Sequence, residues 1–355
     1  MLQPRPDRRS FLAGALSSAA VLGGCGPAGA AAPTAAYGCA VRADMLDRDR
    51  AYAAAVASRC RTIVPESALK WLDLRPSPDR FDFSHADRIA AFAARHGLGL
   101  RGHTLAWYGA MPAWTEAVTA RSEAQRLLTG HIETVVSRYR GQIGSWDVVN
   151  EPIPDRPTSR DDLRPFAWSR ALGPDYIGLA FRAAAAADPA TRLVLNEYDL
   201  EYLGARYAAR RAALLHILRG LVDGGVPIHA VGLQAHLMPE RPLDRDGLQT
   251  FLREVRAMGL DVMVTELDVV DATLPGDVAQ RDARVAASAQ AFLALVAEVS
   301  PPTDILTWGI SDRYTWVPMY FTRSDGLPNR PLPLDADMSP KPLMAVIERF
   351  TRASR

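Results

Sequence analysis

The chain has 355 residues, of which 48% are hydrophobic and 23% charged, and this ordinary globular composition excludes an intrinsically disordered protein. Its 41 basic and 40 acidic residues leave a formal net charge of +1, so charge gives no reason to expect nucleic acid or an anionic surface as a partner. The length alone suggests two domains, but an α/β barrel holds as many residues in one.

The amino-terminal segment, residues 1–25, is typical of an export signal rather than of a folded element. Arg8 and Arg9, followed by Phe11 and Leu12, resemble a twin-arginine signal. The apolar run over residues 12–24 is too short to span a membrane as a mature helix. We therefore exclude this segment from the predicted fold.

The apolar run ends in Leu-Gly-Gly-Cys at residues 22–25, which resembles a lipobox and predicts lipidation of Cys25. Residues 26–36 are mostly small and include proline, so we expect a flexible tether. The alternative is a plain secretory signal that is cleaved among residues 30–36. The first interpretation predicts a periplasmic or cell-surface lipoprotein whose lipid is its contact with the membrane, and the second predicts a secreted protein.

One pattern repeats over residues 37–355: an amphipathic helical stretch, a glycine, and then a short apolar run. Runs rich in Val, Ile and Leu without strict alternation are typical of parallel strands buried on both faces. The gaps between them, all but the first, leave ample room for a crossover helix. We therefore predict a single (β/α)8 TIM barrel over residues 37–355, closed by a final helix near Leu343–Phe350. The eight apolar runs are Gly38–Ala43, Thr62–Glu66, Leu98–Thr104, Ile143–Asn150, Arg192–Glu197, Ile228–Gln234, Asp261–Leu267 and Asp304–Ser311.

Cys39 and Cys60 are the two cysteines that follow Cys25. Export would permit a disulfide between them, but we expect two small buried residues on neighbouring elements. The sequence has no Cys/His spacing typical of a structural metal site. No linker or second domain interrupts the barrel pattern, and we expect a monomer.

Polar and ionisable residues follow almost every predicted strand. In a barrel of this kind the functional residues gather at the carboxyl ends of the strands. Polar groups are costly to bury, and roles as helix caps or loop residues would explain one or two of them but not the whole set. The residues at the predicted strand ends are Glu66, His103, Asn150, Glu151, Asn196, Glu197, Gln234, His236, Glu266, Asp268 and Trp308.

Two of these carboxylates, Glu151 after the fourth predicted strand and Glu266 in the seventh, would lie roughly opposite each other across the barrel mouth. Paired carboxylates across a cleft are the equipment of glycoside hydrolysis, in which one protonates the leaving oxygen and the other attacks the sugar or activates water. Pro152 makes the chain turn directly after Glu151. Two carboxylates suffice for this chemistry, so we expect no metal and no organic cofactor.

Tryptophans near the strand ends indicate a sugar site, because sugar rings stack their apolar faces on indole while their hydroxyls bind polar side chains. On this ground we assign five tryptophans to the mouth and expect the remaining two in the barrel core. The mouth group is Trp71, Trp107, Trp114, Trp308 and Trp316, and the core group is Trp146 and Trp168.

Two segments resemble the catalytic signatures of glycoside hydrolase family 10, the endo-β-1,4-xylanases. They are Trp146–Pro152, which reads WDVVNEP, and Thr265–Asp268, which reads TELD. Asn-Glu-Pro alone is shared by several barrel hydrolases, but the resemblance extends from about Tyr37 to Phe350. The further matching stretches follow in the expected order and are Glu66 with Lys70–Trp71, Arg101–Trp107, Asn196–Tyr198, Gln234–Leu237 and Trp308–Asp312.

The resemblance implies a retaining mechanism with Glu151 as general acid/base and Glu266 as nucleophile, their carboxyl groups about 5–5.5 Å apart. The pKa of Glu151 would then fall once the charge of Glu266 is consumed in the glycosyl-enzyme. Asn150 would hold the 2-hydroxyl of the reacting sugar. His236 would hydrogen-bond Glu266, with Asp268 behind it.

The implied substrate is β-1,4-xylan or a xylo-oligosaccharide. Tyr198 would serve the leaving-group side. Lys70 is one of only two lysines in the chain, and a compact ammonium suits sugar hydroxyls better than a wide guanidinium. The residues implied for the non-reducing side are Glu66, Lys70, His103, Trp107, Gln234, Trp308 and Trp316.

The sequence departs from the family pattern at two positions. Ser67 stands where the family usually has Asn, and Tyr108 where it usually has His. These departures put the −2 sugar contact and the substrate preference in question rather than the reaction. Two alternatives stay open: hydrolysis of another β-1,4-glycan such as β-glucan, and a surface lipoprotein that binds glycan without cutting it. A pure binder would have no need for both Glu151 and Glu266.

Overall fold

The computed structural model describes residues 35–351. The predicted export signal, Cys25 and the predicted tether up to residue 34 lie outside this range. Ala35 forms a parallel bridge with Thr351, and Ala36 begins the first strand. The barrel therefore begins one residue before its predicted start.

Within residues 35–351, eight parallel strands form a closed barrel, as the pattern of apolar runs predicts. The last strand pairs with the first, for example at Asp304 opposite Ala36, and this pairing closes the sheet. A two-residue strand, His236–Leu237, pairs with the carboxyl end of the seventh strand. The barrel strands are β1 (Ala36–Val41), β2 (Thr62–Pro65), β3 (Gly99–Ala106), β4 (Ile143–Asn150), β5 (Arg192–Glu197), β6 (Ala230–Leu233), β7 (Asp261–Val269) and β8 (Asp304–Thr307).

Helices connect consecutive strands, and short 3₁₀ helices at Ala113–Ala117, Asp312–Tyr314 and Val317–Met319 lie in the loops after β3 and β8. The first gap, where we expected little room, holds two helices because β1 ends two residues earlier than predicted. The helices are α1 (Ala43–Arg48), α2 (Arg50–Arg59), α3 (Trp71–Leu74), α4 (Ser84–His96), α5 (Arg121–Arg138), α6 (Ala167–Leu172), α7 (Asp175–Ala187), α8 (Ala205–Asp223), α9 (Arg245–Ala257), α10 (Val278–Ala297) and α11 (Pro342–Phe350).

The apolar stripes that predict the helices are buried. In α9 the stripe of Leu248, Phe251, Leu252 and Val255 is buried, because side chains three and four residues apart share one helix face. The glycine that follows α4, Gly97, has a φ of 65°, a left-handed conformation that ends the helix without a Cβ penalty. The sequence pattern of helix, glycine and strand therefore has a direct conformational basis.

The barrel interior is charged in the layer that holds the side chains of β3 and β4. Arg101 and Asp147 form an ion pair and are each 1% exposed. Nη1 of Arg101 donates to the hydroxyl of Ser145 at 2.9 Å, and Nδ1 of His103 lies 2.9 Å from Oδ2 of Asp147. Buried ion pairs are costly to desolvate, but removing one partner would cost more. Asp147 thereby fixes the orientation of His103.

Cys39 and Cys60 are buried free thiols whose sulfur atoms lie 3.5 Å apart. Over the described range, no group of three or more His, Cys, Asp or Glu side chains has an arrangement that could hold a metal ion. No helix between residues 35 and 351 is long and apolar enough to cross a bilayer.

Candidate active site

The carboxyl ends of the strands open into one cleft with a cavity volume of about 530 Å³. It contains both predicted catalytic carboxylates and every sugar-binding residue that the family resemblance implies, although these residues come from strands all round the barrel. Those residues are Glu66, Lys70, His103, Trp107, Asn150, Glu151, Tyr198, Gln234, His236, Glu266, Trp308 and Trp316.

Glu266 is the more buried of the two central carboxylates, with 5% of its surface exposed. Nδ2 of Asn196 donates to its Oε1 at 2.7 Å, and Nε2 of His236 lies 3.3 Å from its Oε2. Burial alone would raise the pKa of Glu266, but the hydrogen bond from His236 and the positive charges of His236 and Lys70 lower it. Glu266 is therefore held as an ionised carboxylate in a site with little access to water.

His236 joins Glu266 to a second, fully buried carboxylate. Its Nδ1 lies 3.0 Å from Oδ1 of Asp268, and Oδ2 of Asp268 accepts a hydrogen bond from Nε1 of Trp316 at 2.7 Å. Burial alone would lower the pKa of His236, but the negative charges of Asp268 and Glu266 raise it well above its usual value. The imidazolium thus donates to both carboxylates, and Asp268 fixes the His236 and Trp316 rings together.

Glu151 follows β4 in a left-handed conformation with a φ of 54°, which residues other than glycine rarely adopt. Nε1 of Trp107 donates to its Oε2 at 2.9 Å. Nε2 of Gln234 and Nδ2 of Asn150 donate to its Oε1 at 2.9 and 3.1 Å. The carboxyl group is therefore fixed by uncharged donors, one of which is a tryptophan that the sequence assigns to sugar binding.

A chain of hydrogen bonds connects the two carboxylates. Nδ2 of Asn196 donates to Glu266 and also to Oδ1 of Asn150 at 2.9 Å, and Asn150 in turn donates to Glu151. Gly232 leaves room for this arrangement, because a Cβ at that position would lie 2.1 Å from Oδ1 of Asn196. The relative orientation of the two carboxylates is thus set by amides on β4 and β5.

The cleft side formed by β2, β3 and β8 carries a lysine between aromatic rings. Nζ of Lys70 lies 4.6 Å from the centre of the Trp107 ring and 5.6 Å from that of Trp308. Burial lowers the pKa of Lys70, and burial raises the pKa of Glu66. Indole faces beside an ammonium and a carboxyl group suit a sugar ring and its hydroxyls. We call this group the lysine end, and it consists of Glu66, Lys70, His103 and Trp308.

The cleft side formed by the loops after β4, β5 and β6 is rich in arginine. Nη2 of Arg164 donates to the Tyr198 hydroxyl at 2.7 Å and to Oδ1 of Asp155 at 3.0 Å. The same guanidinium lies 4.3 Å from the centre of the Tyr108 ring. Burial, and then the negative charge of Glu151, raise the pKa of Tyr108 to about 12, so it is an uncharged phenol. We call this group the arginine end, and it consists of Tyr198, Arg206 and Arg241, which line the cleft, and of Arg164, which contacts Tyr198.

Two tryptophans that the sequence assigns to the mouth lie elsewhere: Trp71 lies in the core, and Trp114 is partly buried against it. Trp71 is 2% exposed, stacks on His131 with ring centres 3.7 Å apart, and donates to the carbonyl of Leu105 at 2.7 Å. Trp114 lies beside it, 6.1 Å away, and donates to the carbonyl of Arg75. The prediction that they form sugar platforms was wrong. Trp71, at the start of α3, packs against His131 of α5, and Trp114, in the 3₁₀ helix after β3, packs beside Trp71. Trp146 and Trp168 are buried, as predicted.

Sequence reasoning missed several contributors to the cleft. Asp155 lines the cleft from the loop after β4, and Arg164 of the same loop donates to it. No apolar pattern indicates which side chains of this loop turn inwards. Asn196 was identified at a strand end but was given no role, although it lies between strands that carry Asn150 and Gln234. Ser67 does not line the cleft but a neighbouring cavity of about 380 Å³.

A further cavity of about 550 Å³ lies among α5, α7 and α8 on the outside of the barrel. Among the described residues that line it there is no tryptophan or tyrosine, and neither central carboxylate reaches it. It therefore lacks both the stacking surfaces and the acid–base pair that glycoside hydrolysis needs.

A parallel barrel whose mouth holds an ionised buried carboxylate, a second carboxylate fixed by N–H donors, and indole rings has the fold and the site of a glycoside hydrolase. The family model described as Glycosyl hydrolase family 10 matches residues 28–349. The chain belongs to this family, as the two signature segments indicate.

Relatives of known name agree with this family. The chain is 34% identical over 261 residues to endo-1,4-beta-xylanase C of Phanerodontia chrysosporium, which covers 73% of this chain and 63% of that protein. It is 33% identical over 299 residues to a beta-1,4-xylanase of Dictyoglomus thermophilum, which covers 81% of each. The solved structure of xylanase 10B from Thermotoga petrophila RKU-1 in complex with xylobiose superimposes with a TM-score of 0.80 at 28% identity, covering 89% of this chain and 94% of that one. The chain spans somewhat less than two thirds of the length of several curated relatives that it matches.

Proposed function

We propose that the protein is a retaining endo-β-1,4-xylanase that cleaves internal bonds of xylan or of xylo-oligosaccharides. The observation that carries the proposal is the unlike pair at the mouth: Glu266 is buried and held ionised by cations, whereas Glu151 is fixed by uncharged donors. A nucleophile must stay ionised until it attacks, and an acid/base must change its charge twice in each cycle. Family membership and the xylanase names of the relatives support this assignment.

In the first step a carboxylate oxygen of Glu266 attacks the anomeric carbon while the bond from that carbon to the leaving oxygen breaks. Glu151 gives its proton to the leaving oxygen, so the departing chain leaves as an alcohol. Asn150, which is fixed by Asn196, would hold the 2-hydroxyl of the reacting sugar. The negative charge of Glu266 is consumed in the glycosyl-enzyme, so its repulsion no longer acts on Glu151, which stays a carboxylate after giving up its proton.

In the second step Glu151 removes a proton from water, whose oxygen attacks the anomeric carbon and displaces Glu266. His236 then stabilises the carboxylate that Glu266 regains, because its imidazolium already donates towards that oxygen. Two inversions at one carbon give net retention. The two carboxylates and one water account for every bond and proton in both steps.

Product analysis tests the reaction and the substrate together. Release of reducing ends is measured on xylan, barley β-glucan, mannan and xylo-oligosaccharides, and the first-formed anomer on xylan is followed by NMR. We expect release on xylan with β-anomeric product. An α-anomer would contradict the retaining mechanism. Faster release from β-glucan than from xylan would show that β-glucan, and not xylan, is the preferred substrate. Binding of xylan without release of ends would favour a glycan-binding lipoprotein.

We infer from the sequence that the protein is exported by the twin-arginine-type signal and anchored by a lipid on Cys25. One acyl chain binds a membrane only marginally, whereas a diacylglyceryl group supplies the two chains that stable anchoring needs. Membrane fractionation compares wild type with Cys25→Ser, and Cys60→Ser serves as the matched cysteine control. Release of Cys25→Ser alone into the soluble exported fraction is the expected result. If wild type and both variants appear equally in the soluble exported fraction, the lipid anchor is refuted and the enzyme is secreted.

A further inference from the structure

The cleft extends past Tyr198 to two guanidinium groups that the proposed reaction does not use. Arg206, in the first turn of α8, and Arg241, after the short strand His236–Leu237, both line the cleft. Met238, which precedes Arg241 in the same loop, also lines the wall. Tyr198 is the residue that the resemblance places on the leaving-group side. The two arginines therefore lie where the departing part of the substrate would extend.

These two arginines share a single counter-ion. Arg206 forms an ion pair with Asp199, and Nη1 of Arg241 lies 3.6 Å from the other carboxylate oxygen of Asp199. The other arginines near this part of the cleft are paired one to one, since Arg164 has Asp155 and Arg210 has Glu197. The group of Arg206, Arg241 and Asp199 therefore carries an excess of one positive charge.

The guanidinium groups of Arg206 and Arg241 also keep hydrogen-bond donors that the described residues leave unused. Among residues 35–351 the Arg241 side chain makes no hydrogen bond, and the Arg206 side chain donates only from Nη2, to Asp199. Glu240, next to Arg241 in sequence, instead accepts a hydrogen bond from the Thr273 hydroxyl at 3.1 Å. A guanidinium offers five donors in a planar fork, so both arginines keep donors for a ligand.

Aromatic rings hold the two guanidinium groups in place. Arg206 lies 5.3 Å from the centre of the Tyr207 ring, and Arg241 lies 5.6 Å from that of Tyr202. The two tyrosine rings contact each other edge to face with centres 5.3 Å apart. Each guanidinium keeps about a third of its side chain exposed, 32% for Arg206 and 33% for Arg241. The site is thus ordered before a ligand arrives, which lowers the entropic cost of binding.

We propose that Arg206 and Arg241 bind a carboxylate of the substrate, so that the preferred substrate is a xylan or xylo-oligosaccharide with a uronic-acid branch on the leaving-group side. A planar carboxylate matches the guanidinium fork with its two oxygens and takes up the unpaired charge, whereas a sugar hydroxyl has a single oxygen and no charge. This inference rests on the proposed function for the identity of the glycan, but the carboxylate site itself does not depend on turnover.

Two substrates that differ by one methyl group test the effect of the carboxylate charge. They are a xylo-oligosaccharide with a uronic-acid branch and the methyl ester of the same compound. We expect wild type to have a kcat/KM about three- to fivefold higher for the acid, the effect of a partly exposed ion pair. The preference should shrink in high salt, because exposed charges are screened. Arg241→Ala should lower the ratio of the two kcat/KM values, acid over ester, to about one.

Control variants separate this site from a general loss of charge. Arg219→Ala removes an exposed arginine of α8 that pairs with Glu254 outside the cleft, so it should retain the preference for the acid. Arg241→Lys keeps the charge without the fork and should retain part of the preference. Loss of the preference in Arg219→Ala, or its survival in Arg241→Ala, would overturn the assignment to these residues.

A binding measurement separates failure of the site from failure of the proposed function. The acid and the ester are titrated calorimetrically into Glu266→Ala and into Glu266→Ala with Arg241→Ala. Equal cleavage and equal binding of both compounds would overturn the carboxylate site and leave the xylanase standing. If wild type cleaves neither compound but Arg241 still gives tighter binding of the acid, the site stands and the proposed function falls. Absence of both cleavage and discrimination would overturn both.

Discussion

The lysine end and the arginine end of the cleft differ in the groups that surround the nearest catalytic carboxylate. Beside the lysine end Glu266 is almost fully buried, and cations lower its pKa despite that burial. Towards the arginine end Glu151 receives hydrogen bonds from an indole and two amides, none of which carries a charge. A cation fixes a charge state, whereas an uncharged donor fixes a position and lets the charge change.

The two ends also differ in their access to solvent. His103 and Trp308 at the lysine end are 1% and 8% exposed, whereas Tyr108 beside the arginine end is 38% exposed. A closed side excludes water from the sugar that becomes covalently bound, which strengthens the interactions there. An open side lets one leaving group depart and water enter. The asymmetry therefore follows the order of the two chemical steps.

Removal of the nucleophile should produce the largest effect. Glu266→Ala should lower kcat on xylan by roughly 10⁴-fold, as expected for loss of a group that attacks directly. The cations that surround Glu266 remain, so added azide can enter the space left by the carboxylate and restore some turnover with inverted product. The anomer formed with azide is measured by NMR. Wild-type rates in Glu266→Ala would refute the assignment.

Removal of the acid/base should depend on the leaving group. Glu151→Ala should lower kcat/KM by about 10²–10⁴-fold on xylan, but far less on activated aryl xylosides, whose leaving groups need little protonation. Rates on the two kinds of substrate are compared with those of Gln234→Ala, which removes one donor to Glu151 but keeps the carboxyl group. Equal losses on both substrates in Glu151→Ala would show a structural role.

Removal of the imidazolium should shift a pH profile. His236→Asn removes the hydrogen bond and the positive charge that lower the pKa of Glu266, so that pKa should rise and Glu266 should ionise only at higher pH. The acidic limb of kcat/KM should therefore move up by about one pH unit. His216→Asn, an exposed histidine paired with Asp161, serves as the control. An unmoved acidic limb would show that the other groups around Glu266 keep it ionised without His236.

The smallest expected effect concerns the wall beside the lysine end. Ser67 follows Glu66, and Ser67→Asn would restore the amide that family members usually carry there. One hydrogen bond to a neutral hydroxyl contributes about 0.5–1.5 kcal/mol, so kcat/KM on long xylan should rise about 2- to 12-fold. The exposed Ser77→Asn should leave it unchanged. A fall in Ser67→Asn would mean that the neighbouring cavity has been reshaped around serine.

The sequence predicts the strands well because buried parallel strands need long apolar runs. Ile143–Asn150 and Arg192–Glu197 begin and end where predicted, and each delivers its polar end to the mouth. A tryptophan is less informative, because an indole fills a core as readily as it stacks on a sugar. Trp71 illustrates this, since its helix rather than its distance from β2 decides which way the ring points.

Loop residues and hydrogen-bond partners were beyond sequence reasoning. Asp155 reaches the cleft, and Arg164 reaches Asp155, only because the loop after β4 folds back, and no periodicity records that path. Trp107 was placed in the cleft correctly, but its bond to Glu151 depends on the direction of one N–H. The carboxyl separation of about 5–5.5 Å stays a prediction.

The bridge between Ala35 and Thr351 places the two ends of the described chain side by side. They lie at the amino end of β1, on the face opposite the cleft, because the carboxyl ends of all the parallel strands form the mouth. A circular permutant that joins these two residues through a short linker keeps every strand pairing. New termini opened in a mouth loop would then lie beside the cleft, where a fused binding module could deliver polysaccharide directly to the catalytic carboxylates.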